Sequence, residues 1–404
     1  MLMNTSLDNA AGWLRQQHDT MLEQLVVLAE MNSHSENVAG LLQVAEALRT
    51  MFDTLGVPCR TQDLLPRQVI SDAGEVYEKP TGPALLWHQR PHCSRRVLLA
   101  IHYDTVYPID HPFQKCTWMD QGRLRGPGVA DAKGGIIVML WALHAAEKFG
   151  LLPKLGWTVV LNPDEEIGSP CSWPLWRTIA SAYTFGLLME PALPDGSIVN
   201  KRKGSGTFTL VMRGKAAHSG RNFREGRNAV LKLAELALEM HRWNELDPGI
   251  IVNVGKMVGG QAANVVPDVA TLRVNIRIED FSQQEQILSR LNRLVQTYNN
   301  SEGFNCSVTG CFHAPPKLVC PKTERLMKFI EIAAAQQGQG VRFAATGGAS
   351  DGNKLAAVGL PNIDTLGPSG DRLHSPDEWV DTKSLVENSE RLLRLLVLLQ
   401  DSAE

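Results

Sequence analysis

Three apolar runs in this chain end in residues that hold metals or move protons. Val97-Leu98-Leu99-Ala100-Ile101 leads into His102 and Asp104, Trp157 to Leu161 into Asp164-Glu165-Glu166, and Phe185 to Met189 into Glu190-Pro191. Such runs read as buried parallel strands, and in open α/β sheets ligands gather beyond the carboxyl ends of the strands. These side chains are therefore expected in one crevice, where imidazole nitrogens and carboxylate oxygens make the donor set of a dinuclear metal site.

Two metals need several ligands, a carboxylate able to bridge, and an activated water. Asp131, in Gly126-Pro127-Gly128-Val129-Ala130-Asp131-Ala132-Lys133-Gly134-Gly135, lies just before a predicted helix, where a bend aims it back into the crevice. Glu190 and His374 would complete opposite sides of the cluster. Adjacent acids leaving a strand cannot both point the same way, so one of Glu165 and Glu166 binds metal while the other stands free as a proton shuttle. Each residue alone has an ordinary reading too: Asp131 caps a helix, His374 belongs to a loop, and the acidic pair is solvated surface. Joint placement at strand ends is what favours the site.

The elements that must position these groups follow from periodicity. Helices are predicted over residues 7–30 and 38–55, then strands over 84–88 and 97–101, a glycine turn at Gly126 and Gly128, and a helix over 134–148 that is apolar nearly all round and hence buried. This alternation predicts an α/β fold with a mixed, mostly parallel sheet and flanking helices. After residue 200 the pattern changes to strand 205–213, helix 226–243, strands 250–257 and 269–278, helix 282–298 and strand 304–312. The order β-α-β-β-α-β is the ferredoxin-like unit. The α/β character then returns with helix 324–337, a short strand 341–343, the polar loop 346–352 and helix 382–400. Two domains are expected: a discontinuous metal-binding domain of residues 1–201 and 314–404, and an inserted small domain of residues 202–313.

A chain of 404 residues suits two cores. Its net charge of −3 gives no reason to expect nucleic acid or an anionic membrane as partner. Residues 1–9 carry no signal-peptide pattern, and no run approaches the roughly 20 apolar residues of a membrane helix, so a cytoplasmic protein is expected. Seven irregularly spaced cysteines argue against a disulfide framework. Cys306 and Cys311, on a predicted strand, read as small buried hydrophobes, and His88, His92 and Cys93 as a solvated loop without a fourth metal ligand.

The motifs His102-Tyr103-Asp104-Thr105-Val106, Gly128 to Gly135, Asp164-Glu165-Glu166-Ile167-Gly168, Glu190-Pro191, Gly214-Lys215-Ala216-Ala217-His218-Ser219-Gly220 and His374-Ser375 resemble, in order and interval, the zinc amidohydrolase family of glutamate carboxypeptidase, acetylornithine deacetylase and succinyl-diaminopimelate desuccinylase. The likeness spans nearly the whole chain and looks closest to the glutamate carboxypeptidase branch; Glu190 in place of Asp resembles carboxypeptidase and deacylase members more than dipeptidases. The resemblance implies two Zn²⁺ per subunit, replaceable by Co²⁺, with His102 and Glu190 on one ion, Glu166 and His374 on the other, and Asp131 bridging. It implies Asp104 as the group orienting His102, Glu165 as general base, and His218 as an oxyanion-stabilising residue reaching a partner subunit, hence a homodimer. Arg277 and Asn264 resemble substrate-binding residues, and the Gly347-Gly348 loop is a second candidate for the substrate carboxylate through its backbone N–H groups. The expected reaction is hydrolysis of an amide next to a free carboxylate, on a small peptide or an N-acyl amino acid. A non-catalytic binding protein of the same fold is the competing expectation.

Overall fold

The protein is described from a computed structural model covering residues 2–299 and 303–401. Its central sheet has six strands in the order Cys59–Gln62, Ala84–Gln89, Leu155–Asn162, Arg95–His102, Phe185–Leu188, Asn362–Ile363. The last four run parallel, while the first two join antiparallel at one edge. The unbroken apolar runs have a physical cause here. Along Arg95–His102, Val97, Leu99 and Ile101 enter one core with the helices Lys133–Lys148 and Thr382–Asp401, whereas Leu98 and Ala100 enter another with Trp176 and Leu355 on the opposite face. A strand covered on both faces needs apolar residues at both parities.

A second sheet of four antiparallel strands has the order Ile251–Gly259, Val269–Ile278, Gly204–Arg213, Asn305–Ala314. Helices cover one of its faces: Phe208, Leu210 and Met212 pack with Leu272, Val274 and Ile276 beneath the helices Ala229–His241 and Phe281–Asn299, forming a separate core. A hairpin of Arg67–Ile70 and Val76–Lys79 reaches the other face. Asp72 at its tip pairs with Lys256 at 2.8 Å and Arg273 at 2.7 Å, and Arg213 and Arg273 donate to the carbonyls of Gly74 and Ile70.

Several predicted elements need correction. The helix expected over 7–30 is two helices, Leu2–Arg15 and His18–Ala29, parted where the polar run Arg15 to His18 offers nothing to bury and Gln16 and Gln17 close short turns onto Trp13 and Leu14. The strand expected at 341–343 is Phe343–Thr346, set by parallel pairing with Ile198–Arg202. Cys306 is buried but Cys311 is exposed, because an odd separation puts the two on opposite faces of one strand. His88 is not in a loop: it lies within the strand Ala84–Gln89, one residue before its end, with Nδ1 2.9 Å from the Thr158 hydroxyl.

Candidate metal centre

His102 ends its strand fully buried, with Nε2 3.0 Å from Asp131 Oδ1 and 3.7 Å from Glu190 Oε2. Across a gap, His374 Nε2 lies 3.4 Å from Asp131 Oδ2 and 3.0 Å from Glu166 Oε2. Ligand-type atoms therefore form two triads, His102–Asp131–Glu190 and Asp131–Glu166–His374, each drawn within 4.8 Å and sharing Asp131. Glu165 belongs to neither triad, yet it lines the same cavity of about 390 Å³ together with Asp131, Glu166, Glu190 and His374.

Each side chain is held by its own element. Phe185–Leu188 delivers Glu190, whose N–H donates to the Asp364 carbonyl at 3.0 Å. Glu165 and Glu166 sit on a short turn where both backbone N–H groups donate to the Asp104 carboxylate, at 3.1 and 3.2 Å. That carboxylate also accepts from the Ser35 hydroxyl at 2.6 Å and lies 3.2 Å from His102 Nδ1, the ring nitrogen facing away from the cluster. Asp131 precedes the helix Lys133–Lys148 at a cis Asp131–Ala132 peptide. His374 has φ of +59°, a left-handed conformation that carries strain in a residue other than glycine and projects the ring from a tight turn.

Electrostatics explain why these groups tolerate one another. Burial, then Glu190, pushes the Glu165 carboxyl well above its usual range, and burial, then Asp131, raises Glu166 to about 7. Burial raises Glu190 as well, although His102 opposes it. Contacts with Asp131 and Glu166 lift His374 to about 11; burial would lower His102, but Glu190, Asp104 and Asp131 outweigh it and hold the ring well above its ordinary value. Asp131, between two imidazoliums, lies below the usual carboxylate range despite its burial. Raised histidines and raised acids alike mean that the cluster holds protons more tightly than isolated side chains would. Two nitrogens and three carboxylates in that arrangement, one shared, fit the donor set of two divalent cations in place of those protons.

Arg277 faces this cavity from the second sheet. Its Nε donates to Asn275 Oδ1 and its Nη1 to the Gly347 carbonyl, both at 3.0 Å. Gly348 lines the cavity, but its N–H faces Thr346 Oγ1 at 3.4 Å and its carbonyl accepts from Arg202. His218 and Asn264 are not brought to the cavity within this chain: they lie on exposed, neighbouring segments, where Ser219 N–H donates to the Asn264 carbonyl and His218 pairs with Val265.

Sequence reasoning missed several supports. Glu378, buried, accepts from the N–H groups of Gly128, Ala130 and Asp131 at 3.0–3.1 Å and lies 2.8 Å from the Tyr107 hydroxyl. Asp364 is gripped by Arg202 at 2.8 Å, Lys317 at 2.9 Å and the Ser350 hydroxyl at 3.0 Å beneath the cavity floor. Lys133 donates to the carbonyls of Leu28 and Met31 and is fully buried. The only available signal was charge beside an already singled-out residue: Glu378 four places after His374, and Lys133 two after Asp131.

Residues 98–398 match the sequence profile of peptidase family M20/M25/M40. The chain belongs to this family. It is 27% identical over 320 residues to carboxypeptidase G2 of Pseudomonas sp. (strain RS-16), covering 75% of this chain and 74% of that protein. It is 30% identical over 331 residues to a putative succinyl-diaminopimelate desuccinylase of Mycobacterium tuberculosis (strain ATCC 25618 / H37Rv), covering 78% and 86%. Its fold matches that of the M20 family metallo-carboxypeptidase Sso-CP2 from Sulfolobus solfataricus with a TM-score of 0.74 at 17% identity, over 94% of this chain and 99% of the other. The protein is thus a hydrolytic enzyme of a family that works with a pair of metal ions. Among the described residues no helix is long and apolar enough to cross a membrane.

Proposed function

We propose that this enzyme cleaves an amide bond next to a free carboxylate, as a carboxypeptidase does when it removes a C-terminal residue, and that it works with two zinc ions. The observation that carries the reading is Arg277 facing the acidic cluster across one cavity. With Nε and Nη1 engaged by Asn275 and Gly347, the guanidinium is fixed and its Nη2 edge is left for an end-on contact with a substrate carboxylate. That anchor sets the neighbouring amide over the two triads.

His102 and Glu190 would hold one ion and Glu166 and His374 the other, with Asp131 common to both groups. When bound, such a pair supplies Lewis acidity and a water acidic enough to ionise near neutral pH. Glu165, lining the cavity but outside both triads, is the residue placed to take a proton from an attacking water and to return it to the departing amine. Asp104 fixes the orientation and tautomer of His102 through Nδ1. Residues 202–313 form an inserted domain within a catalytic domain of residues 1–201 and 314–404. His218, on this inserted domain, acts on the developing oxyanion in a partner subunit of a homodimer.

A second reading, deacylation of an N-acyl amino acid, is supported by the desuccinylase relative, which the chain covers over 86% of its length. The same bond is broken; what flanks it differs. The test is hydrolysis of peptides ending in glutamate and of N-acyl amino acids by zinc-loaded enzyme, by chelated enzyme, and after zinc or cobalt is returned. Cleavage of carboxylate-bearing substrates that disappears on chelation and returns with metal is expected. Equal rates on substrates whose carboxylate is amidated would overturn the anchor.

A further inference from the structure

A second cavity lies far from the metal centre, at the amino ends of the parallel strands. Its volume is about 600 Å³, within the range of small-molecule sites. Arg95–His102 joins the two places: Arg95 and Arg96 line the cavity and His102 ends in the metal cluster. At 3.3 Å per residue they are roughly 20 Å apart.

Four cations line it, Arg95, Arg96, Lys322 and Arg325, and no carboxylate is among its lining residues within the described part of the chain. Arg95 donates to the Gln400 carbonyl. Arg96 Nε is buried without an acceptor, although the strand fixes its backbone and its guanidinium lies 6.0 Å from the Tyr183 ring centre. Arg325 lies over the Phe329 ring at 5.8 Å, a contact that satisfies none of its N–H donors. A buried guanidinium N–H with no acceptor is rare because it forfeits hydration without return. Like charges collected around one concavity repel unless an anion sits between them.

We propose that this cavity is a second binding site, separate from the catalytic one, for a small organic anion of at least two negative charges. The Arg96 and Arg325 guanidinium groups and Lys322 Nζ supply its donors. The shared chemistry is that of phosphates and polycarboxylates, and two weakly chelating probes distinguish them: AMP and tricarballylate.

The experiment is calorimetric titration of the zinc-loaded enzyme with each probe, for the native chain, for the K322A/R325A variant and for Arg96→Gln. Lys322 is exposed and Arg325 half-buried on the first turns of the helix Pro321–Ala335, so the double variant should keep its fold, as its melting temperature will report. Saturable binding of at least one probe, weakened about tenfold or more in the double variant and also weakened by Arg96→Gln, is expected from the loss of charge-assisted bonds. Binding at the catalytic metals would be indifferent to these substitutions. Failure of both probes to bind saturably, or equal affinity in all three proteins, overturns the proposal.

Discussion

Glu165 and Glu378 are both buried acids near the metal centre, yet they should fail in different ways when changed. Glu165 touches no other ligand-type group closely enough to join a triad, so Glu165→Ala should lower turnover by about 10²–10⁴-fold, the usual worth of a general base, while metal content measured by plasma emission stays near that of the native chain. Loss of both ions would show that it is a ligand instead. Glu378 serves three backbone N–H groups and faces Tyr107. Glu378→Ala strands those donors, so it should cost roughly 2–4 kcal/mol in denaturant unfolding and weaken metal binding about 10–100-fold by freeing Asp131. A variant with native stability and metal affinity would remove Glu378 from that role. The contrast explains what was legible at this scale. His102, Asp131, Glu166 and Glu190 announce themselves by donor type after apolar runs or beside glycine turns, and His374 only through the family resemblance, whereas Glu378, Asp364 and Lys133 look like solvated charge until a distant backbone closes over them.

Helix-to-strand contact brings the triads to their spacing. A Cβ on Gly135, in the first turn of Lys133–Lys148, would lie 2.0 Å from the Met189 carbonyl oxygen, and one on Gly367 would lie 2.2 Å from the same atom. Backbone rather than flexible side chain is in the way, so Gly135→Ala must push the helix that follows Asp131 away from the strand that precedes Glu190. Destabilisation of about 1–3 kcal/mol, the usual cost of overpacking, is expected in chemical denaturation, together with weaker metal binding; unchanged affinity would mean that Asp131 and Glu190 are placed independently of this contact. The long elements were readable because their burial is periodic: Val269–Ile278 falls where alternation put it, and Lys133–Lys148 where an all-apolar helix had to be buried. The hairpin Arg67–Ile70 and Val76–Lys79 was not, since it buries little and is fixed by Asp72, Arg213 and Arg273 acting across a long sequence separation. Local pattern carries no record of such partners.

For the molecule as a whole, the protonation of the cluster couples metal, pH and stability. His374 is raised to about 11 and Glu166 to about 7, and His102, Glu165 and Glu190 are raised too. A raised folded-state value favours folding below the unfolded value, and the benefit is lost as pH climbs toward the folded one. The metal-free protein should therefore lose stability as pH climbs from about 4.5 to 7 through Glu166 and from about 6.5 to 11 through His374, while cations in place of those protons remove the dependence. The gap in melting temperature between zinc-loaded and chelated enzyme should widen across that interval, with proton release on metal binding seen by calorimetry in buffers of different ionisation enthalpy. A constant gap with no proton release would contradict the arrangement. Asp131, the shared member of both triads, is anchored by Glu378, 247 residues further on. As a ribosome extends the chain, His102, Asp131, Glu166 and Glu190 all emerge well before His374 and the anchor. A polypeptide that stops short of them thus offers a loose, incomplete trap for cations, and competence for hydrolysis waits until His374 and Glu378 have been made and folded back.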